Sequence, residues 1–511
     1  MKKLLLLIIC IIGVSGVNAQ YTDGVYILNE DWFGHSPSSI NFFDYEEDEI
    51  KYRVFQKANE GCYLGNTTQY AQIFGNKIYF ISKQNYGSND DIGGRLIVAD
   101  AKSLEQVTSI SLLDGKDGRS FVGVDATKGY VGTSSGLYVF DIKNNKLGDL
   151  IEGTAPETGG LYSGQIGDMI RYRNGKIFAT RQGVGVYVID TVDDKVEATI
   201  ELPDVVTIFV TAGGDLYAAE NGDSNASFVK IDADTYKTYK IELPEGKSVL
   251  NSWGAWRAGS VACDTNYNII YYITSESTSK VSKYDFDNNE LVEDFVTLPY
   301  GKNGAQIIYG TGVGIDPKTN SLLVFTTESG WGTHYQNNWM HFVDVATGKI
   351  GKTVEFEPYY WFVAMPVFPD NASPEIACES SYILNHEEKE LLLNLKKDVT
   401  DKDNNDRLII TSINVDDKSI CDVIIDEDEN VYVKALGSGT TTLHITADSN
   451  GLITKKEVKI NVSEKTEIEC VEMETVTHVE YYTLQGVRVE NPSMGIFIKK
   501  QGSKTERVIF K

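Results

Sequence analysis

The sequence predicts an all-β chain: a seven-bladed β-propeller, then an immunoglobulin-like sandwich, then a small β tail. Three observations predict it. A unit of short strands ending in a marked aspartate recurs along the first 350 or so residues. The first and last segments of that region are complementary pieces of one further unit. After a Pro- and Asn-containing break, the strand pattern changes to longer alternating runs without the marker.

The unit is clearest at Tyr172–Leu202, YRNGKIFATRQGVGVYVIDTVDDKVEATIEL. It reads as the end of a strand, an Asn174-Gly175 turn, a strand, a loop, a strand, an acidic turn and a last strand. Asn-Gly suits a tight hairpin turn because both central positions take positive φ. The tail of the unit recurs as INFFDYEEDEI, LIVADAKSLEQV, LYVFDIKNNKL, VYVIDTVDDKV, FVKIDADTYKT, VSKYDFDNNEL and MHFVDVATGKI. The marker aspartates are Asp44, Asp100, Asp141, Asp190, Asp232, Asp285 and Asp344, spaced by 56, 41, 49, 42, 53 and 59 residues. Four short strands per period of that size describe a propeller blade, and seven markers predict seven blades. Each marker is expected to cap the turn between the third and fourth strands, since Asp accepts hydrogen bonds from amides just beyond it.

The first unit begins at Gly24-Val25-Tyr26-Ile27-Leu28, which matches the second strand of later units. Its missing innermost strand is assigned to Trp361–Phe368, WFVAMPVF, so that the two ends close the ring and leave no free edge.

The chain carries 47 Lys+Arg against 73 Asp+Glu, a net charge of −26. This argues against nucleic acid, whose binding rests on cationic contacts to phosphate. Residues 1–19 read as a secretion signal: Lys2 and Lys3, an apolar run Leu4–Ile12, and Val17-Asn18-Ala19 before Gln20. Cys10 lies inside the apolar run after Ile9, where lipidation needs a small residue, so an exported, non-lipidated chain is expected. No other segment approaches a membrane helix, and the mature chain is expected to have no transmembrane helix. Cys62, Cys263, Cys378, Cys421 and Cys470 remain after cleavage; they are too scattered for a zinc site, and no pairing can be deduced.

The propeller is expected over residues 22–370. Pro369–Pro374 reads as a linker, and residues 375–463 as the immunoglobulin-like sandwich, from runs such as RLIITSINV, DVIIDEDENVYVKAL and GTTTLHITAD. Residues 464–475 form an acidic linker. Residues 476–511 form a short β-patterned tail.

In a blade, the first-to-second and third-to-fourth turns share one face of the ring. They are short here: Gly75-Asn76, Lys128-Gly129, Asn174-Gly175, Gly213-Gly214 and Asp316–Asn320. The other face carries long loops: Gly61–Thr68, Gln84–Gly94, Gly153–Gly164, Pro244–Gly259 and Thr327–Asn338. Long loops on a rigid scaffold are where binding residues collect. They concentrate aromatic residues among Gly, Ser and Asn, a composition suited to recognition. The ligand-binding candidates are Trp32, Tyr63, Tyr86, Trp253, Trp256, Trp331, His334, Tyr335, Tyr360 and Trp361. Each ring has a competing reading as packing beneath the loops.

Catalytic signals are sparse. The propeller holds only His35, His334 and His341. His341 falls in a strand and reads as structural, while His35 and His334 are too few for a metal centre. Asp168, Asp204 and Asn303 give a weak oxygen-ligand alternative. There is no Gly-x-Ser-x-Gly elbow. The repeated docking motif of quinone-cofactor propellers is approached once, at Asp344–Lys349, without its Trp. No catalytic residues, no metal and no required cofactor are assigned, and the chain is expected not to be an enzyme.

Leu28-Asn29-Glu30, Phe33-Gly34, Ser38-Ser39 and Phe74–Tyr79 resemble the YncE-like surface-layer propellers of Bacteroidota. The resemblance spans about residues 22–370. It implies a surface protein that captures a scarce nutrient, a corrinoid such as cobalamin being the suspected ligand, and passes it to a TonB-dependent transporter of the outer membrane. Those capture proteins are lipoproteins, and this chain departs from them there. Tyr482, Leu484-Gln485-Gly486, Val489, Gly495–Ile498 and Val508–Lys511 resemble the sorting domain of type IX secretion substrates. Two alternatives remain: a structural or adhesive surface protein contacting glycans or proteins, and a propeller hydrolase or lyase.

Overall fold

The computed structural model describes residues 20–87, 92–111, 113–156, 164–222, 225–251, 253, 256–403, 408–464 and 478–511. The segment 1–19, all but the first residue of the 464–475 linker, and Cys470 lie outside them.

Seven four-stranded antiparallel sheets form the propeller. Six are continuous in sequence. The remaining one, blade 1, joins Val363–Val367 as the innermost strand to Gly24–Asn29, Ser39–Asp44 and Glu49–Lys51. The antiparallel register Tyr26↔Val367 to Asn29↔Val363 ties the two ends of the region together. Second strands are buried along their length, as in Gly24–Asn29, because sheets pack on both faces. Fourth strands lie on the rim and alternate, as in Lys195–Glu201. The core is a series of inter-blade clusters. Phe178, Val188, Leu216 and Val229 join blades 4 and 5, while Val25, Phe43, Leu323 and Met340 join blades 1 and 7.

The marker aspartates close the third-to-fourth turns. Asp190 Oδ1 accepts from the amides of Val192 and Asp193 at 2.8 and 3.1 Å, and Asp232 Oδ1 from Asp234 and Thr235 at 3.2 and 2.7 Å. The same contact is made by Asp44, Asp100, Asp141, Asp285 and Asp344. Two details differ from expectation. The turn assigned to Lys128-Gly129 lies one step earlier, where Asp125 accepts from the Thr127 amide, and Lys128 already opens a strand. A one-turn helix, Val54–Ala58, links blades 1 and 2 and buries Phe55.

The sandwich pairs a four-stranded sheet (Ser381–Leu384, Leu452–Val462, Gly439–Ser449, Ile410–Val415) with a three-stranded one (Lys389–Asn394, Asn430–Ala435, Cys421–Ile425). Leu393, Val433, Ile445 and Ile460 fill the space between them. Cys62, Cys263, Cys378 and Cys421 are free thiols.

The sandwich packs on the short-turn face of the ring. The Asn450-Gly451 hairpin tip reaches blade 2, where the Gly75 amide donates to Asn450 O at 2.6 Å. A Cβ on Gly451 would meet the Phe74 ring at 2.8 Å, so only glycine fits this approach. Arg171 binds both Asp448 carboxylate oxygens at 3.0 Å, and Arg173 meets Glu429 at 2.6 Å. Asp370, Asp401 and Asp403 gather at the linker, with Asp403 accepting from the Asn371 and Ala372 amides.

The tail is a separate four-stranded unit, built from Val479–Thr483, Arg488–Val489, Gly495–Gln501 and Lys504–Phe510.

Candidate functional site

A cavity of about 630 Å³ opens at the centre of the long-loop face. Its walls come from blades 1, 2 and 7, from Asp117 at the head of blade 3, and from the loop that enters blade 6. The way the backbone builds this mouth is systematic. In six blades the register between the inner strand and its neighbour slips at the end nearest the loops. In blade 2 Thr68 faces Ser82 while Tyr70 faces Ile81, so Gln69 is the extra residue. In blade 3 the extra residue is Arg119, in blade 4 it falls at Gly167-Asp168, and in blade 7 the slip is larger and lies within Tyr309–Gly312. A bulge turns a side chain out of the alternation of its strand. Here the bulges place Gln69 and Tyr309 in the cavity wall. Arg119 is buried, and Asp168 is half-buried.

The polar groups are costly to bury. Glu30, only 4% exposed, sits at the end of the second strand of blade 1; its Oε2 accepts from Tyr309 Oη at 2.9 Å. Among the described residues its Oε1 has no hydrogen-bond partner, and neither does Gln69 Oε1. Burial raises the Glu30 carboxyl above its ordinary range, with Lys83, the Tyr309 hydroxyl and Arg257 opposing. Lys83, 6% exposed, is the next-to-last residue of the second strand of blade 2, Lys77–Gln84. Burial pushes its ammonium down to about 8, Arg119 and Arg257 pushing the same way and Glu30 and Asp117 opposing. Arg119 is held by Gln165 at 2.5 Å and by Asp117 at 3.6 Å.

Below the mouth, burial raises Asp168 to about 6; it accepts from Thr207 Oγ1 at 2.8 Å and from the Gly259 amide at 3.1 Å. Backbone strain is also present. Thr67 (φ +54°) and Phe362 (φ +44°), both in the cavity wall, occupy the left-handed region that bulky and β-branched residues avoid. Such outliers persist where surrounding structure enforces them, and they cluster at ligand sites.

Of the ten aromatic and histidine candidates, the structure brings Trp253 and Tyr335 into this wall. Trp253 Nε1 donates to Val205 O at 2.6 Å, and the Tyr335 ring lies 5.3 Å from Phe362. Trp32 stacks between His35 (4.0 Å) and Tyr360 (4.6 Å), and Tyr63 meets Tyr86 edge-on at 5.4 Å. Trp331 is 89% exposed. His334 Nδ1 lies 2.7 Å from Glu328 Oε1, so His334 and His35 take separate partners.

Two assignments are corrected. Trp361 is fully buried between blades 1 and 7; it stacks on Tyr52 at 5.1 Å under the Arg53 guanidinium and donates to Glu357 O. Trp256, 1% exposed, packs beneath the mouth near Tyr70. The oxygen-ligand alternative also dissolves, since Asp168 is half-buried and engaged by Thr207 and Gly259 while Asp204 and Asn303 are exposed at the surface. Sequence reading missed Glu30, Gln69, Lys83, Arg257 and Tyr309 as members of the mouth.

No curated protein matches the chain. Among solved structures, it resembles a quinoprotein alcohol dehydrogenase-like protein from Bacteroides thetaiotaomicron. The identity is 18% and the TM-score 0.50, over 69% of this chain and 79% of that one. It also resembles a protein from Lactobacillus plantarum, at 10% identity and a TM-score of 0.47, over 67% of this chain and 98% of that one. The first likeness is one of fold. A family model described as "Domain of unknown function (DUF5074)" matches residues 23–369, the whole ring from its first strand to its closing strand, and the chain belongs to that family.

Proposed function

We propose that the chain is a binding protein that holds a small molecule in the mouth of the propeller. The observation that carries this reading is the pair of buried acceptors, Glu30 Oε1 and Gln69 Oε1, left without partners among the described residues beside a cavity of about 630 Å³. A buried acceptor left unmade costs about 1–3 kcal/mol, a cost a ligand donor would recover. The finer reading, supported by the resemblance to surface propellers, is capture of a corrinoid at the cell surface for TonB-dependent uptake. Export through the signal segment and the sorting-like tail belongs to the same reading. Among the described residues, no helix is long and apolar enough to cross a membrane.

Calorimetric titration of residues 20–511 with cobalamin and with cobinamide tests the finer reading. One-to-one binding that Trp253→Ala weakens at least tenfold supports it. No heat with either compound removes the corrinoid, and a metabolite screen by thermal shift then tests the mouth itself.

A second reading, catalysis as a hydrolase or lyase, has one observation in its favour. Lys83, held near pH 8 across from a carboxyl with a raised pKa, has the properties of an acid–base pair. Turnover of a bound ligand that Lys83→Met abolishes, while binding survives, would favour this reading over capture.

A further inference from the structure

The charges in the mouth narrow the ligand class. Arg119 is committed to Asp117 and Gln165. Arg257 lines the same cavity as Lys83 and Glu30. Arg257 makes no hydrogen bond or ion pair with any described residue, although it lies close enough to Glu30, Lys83 and Tyr309 to act on each of them electrostatically. A guanidinium at the wall of a half-buried cavity, with its fork of donors unused, is built for the planar oxygens of a carboxylate or phosphate. In the same cavity wall, Glu30 Oε1 and Gln69 Oε1 are acceptor oxygens that no described residue engages. Phe33, Trp253 and Phe362 add aromatic surface to the same wall.

We infer that the mouth takes an organic anion with a flat apolar body, its charged head held by Arg257 and a hydrogen-bond donor beside that head received by Glu30 and Gln69. The inference rests on the reading of the mouth as a ligand site, and it adds polarity and order to that reading. A molecule with both groups, such as a zwitterion, satisfies both poles. One with the anion alone satisfies the stronger pole, and one with the donor alone leaves Arg257 unanswered. The chain as a whole is acidic, net −26, which sets the Arg257 guanidinium apart from most of the surface.

Three probes share a ring and differ in their polar ends: L-phenylalanine, phenylacetate and phenethylamine. Saturation-transfer NMR on residues 20–511 at millimolar probe concentration reads weak binding directly. The expected order of affinity is L-phenylalanine, then phenylacetate, with phenethylamine at least tenfold weaker than phenylacetate. Arg257→Met is expected to lower phenylacetate affinity at least tenfold with an unchanged melting temperature, and Arg257→Lys to restore part of it. If Arg257→Met unfolds the chain, Arg257→Lys and Gln69→Leu replace it, the latter weakening L-phenylalanine more than phenylacetate. Phenethylamine binding as well as phenylacetate, and sensitive to Trp253→Ala, would overturn the anion inference while leaving the mouth a ligand site. Absence of binding by all three probes overturns the inference. If the corrinoids and the metabolite screen also give nothing, the binding-protein reading falls with it.

Discussion

Glu30 concentrates the tension of the site in one side chain. Its carboxyl is buried, receives one hydrogen bond from Tyr309, and keeps the other oxygen without a partner among the described residues. Its pKa is raised, so the folded chain holds this proton to a higher pH than the unfolded chain does. Stability from this group is therefore complete below the ordinary glutamate pKa and is lost as pH climbs through the raised folded value. The charged groups facing it are Lys83 and Arg257, with the Tyr309 hydroxyl alongside. Glu30→Gln keeps the shape and the acceptor for Tyr309 and removes the pH-dependent loss. The variant is expected to melt higher than the parent at neutral pH, by about 1–3 kcal/mol in stability, and to match it at acidic pH. Thermal denaturation across that range checks this. A lower melting temperature at neutral pH would mean that Lys83 and Arg257 more than offset the burial of the charge. Such a trade of stability for function is what an evolved site shows.

Strands and turns explain what was legible in the sequence and what was not. The aspartate markers were readable because an Asp that caps a turn is a local device, repeated in every blade and independent of what lies across the ring. The closing strand at Val363–Val367 was readable from a count of strands. The mouth was not, because it is made by register slips. Gln69 and Arg119 sit inside runs that read as ordinary strand, and the bulge that re-aims each is invisible to a period of two. Lys83 and Glu30 lie at the ends of their strands, where a charge reads as a solvated terminus. Aromatic rings mislead in the opposite way: Trp361 has the composition of a binding residue and the burial of a core one. At this scale the hairpin Gly439–Ser449/Leu452–Val462 makes a prediction. It joins the sandwich to the ring through Asp448, whose partner Arg171 is nearly buried. Asp448→Ala strands that guanidinium, at a cost of about 3 kcal/mol, the lower end of the range for a broken buried pair. Calorimetry is expected to show the single unfolding transition of residues 20–464 separating into two. A single transition at an unchanged temperature would mean that Arg173–Glu429 and the Gly75–Asn450 contact carry the junction alone.

The ring as a whole depends on a closure made far from the start of the chain. Blade 1 has three strands from the N-terminal region and one from residues 363–367, so its inner edge stays open until about 340 residues have folded. An open edge carries unpaired amides and carbonyls and invites association with other chains. It also leaves Tyr26 and Leu28, buried in the first blade's core with Ala364 and Val367, partly uncovered. A chain ending at residue 357 is therefore expected to aggregate or to unfold without cooperativity. A chain ending at residue 370 keeps the closing strand and is expected to fold as a monomeric ring, less stable than the longer chain because the Arg171 and Gly75 contacts to the sandwich are gone. The two lengths differ by thirteen residues, few enough that composition and charge barely change. Light scattering with circular dichroism distinguishes the outcomes. Equal behaviour of both chains would mean that six blades and a partial seventh suffice to hold the ring. The mouth adds a second readout. Its wall includes Phe362, one residue before the closing strand and held at positive φ, so closure of the ring and completion of the site are one event. A ring that folds without residues 358–370 would then lose its ligand even while keeping its strands.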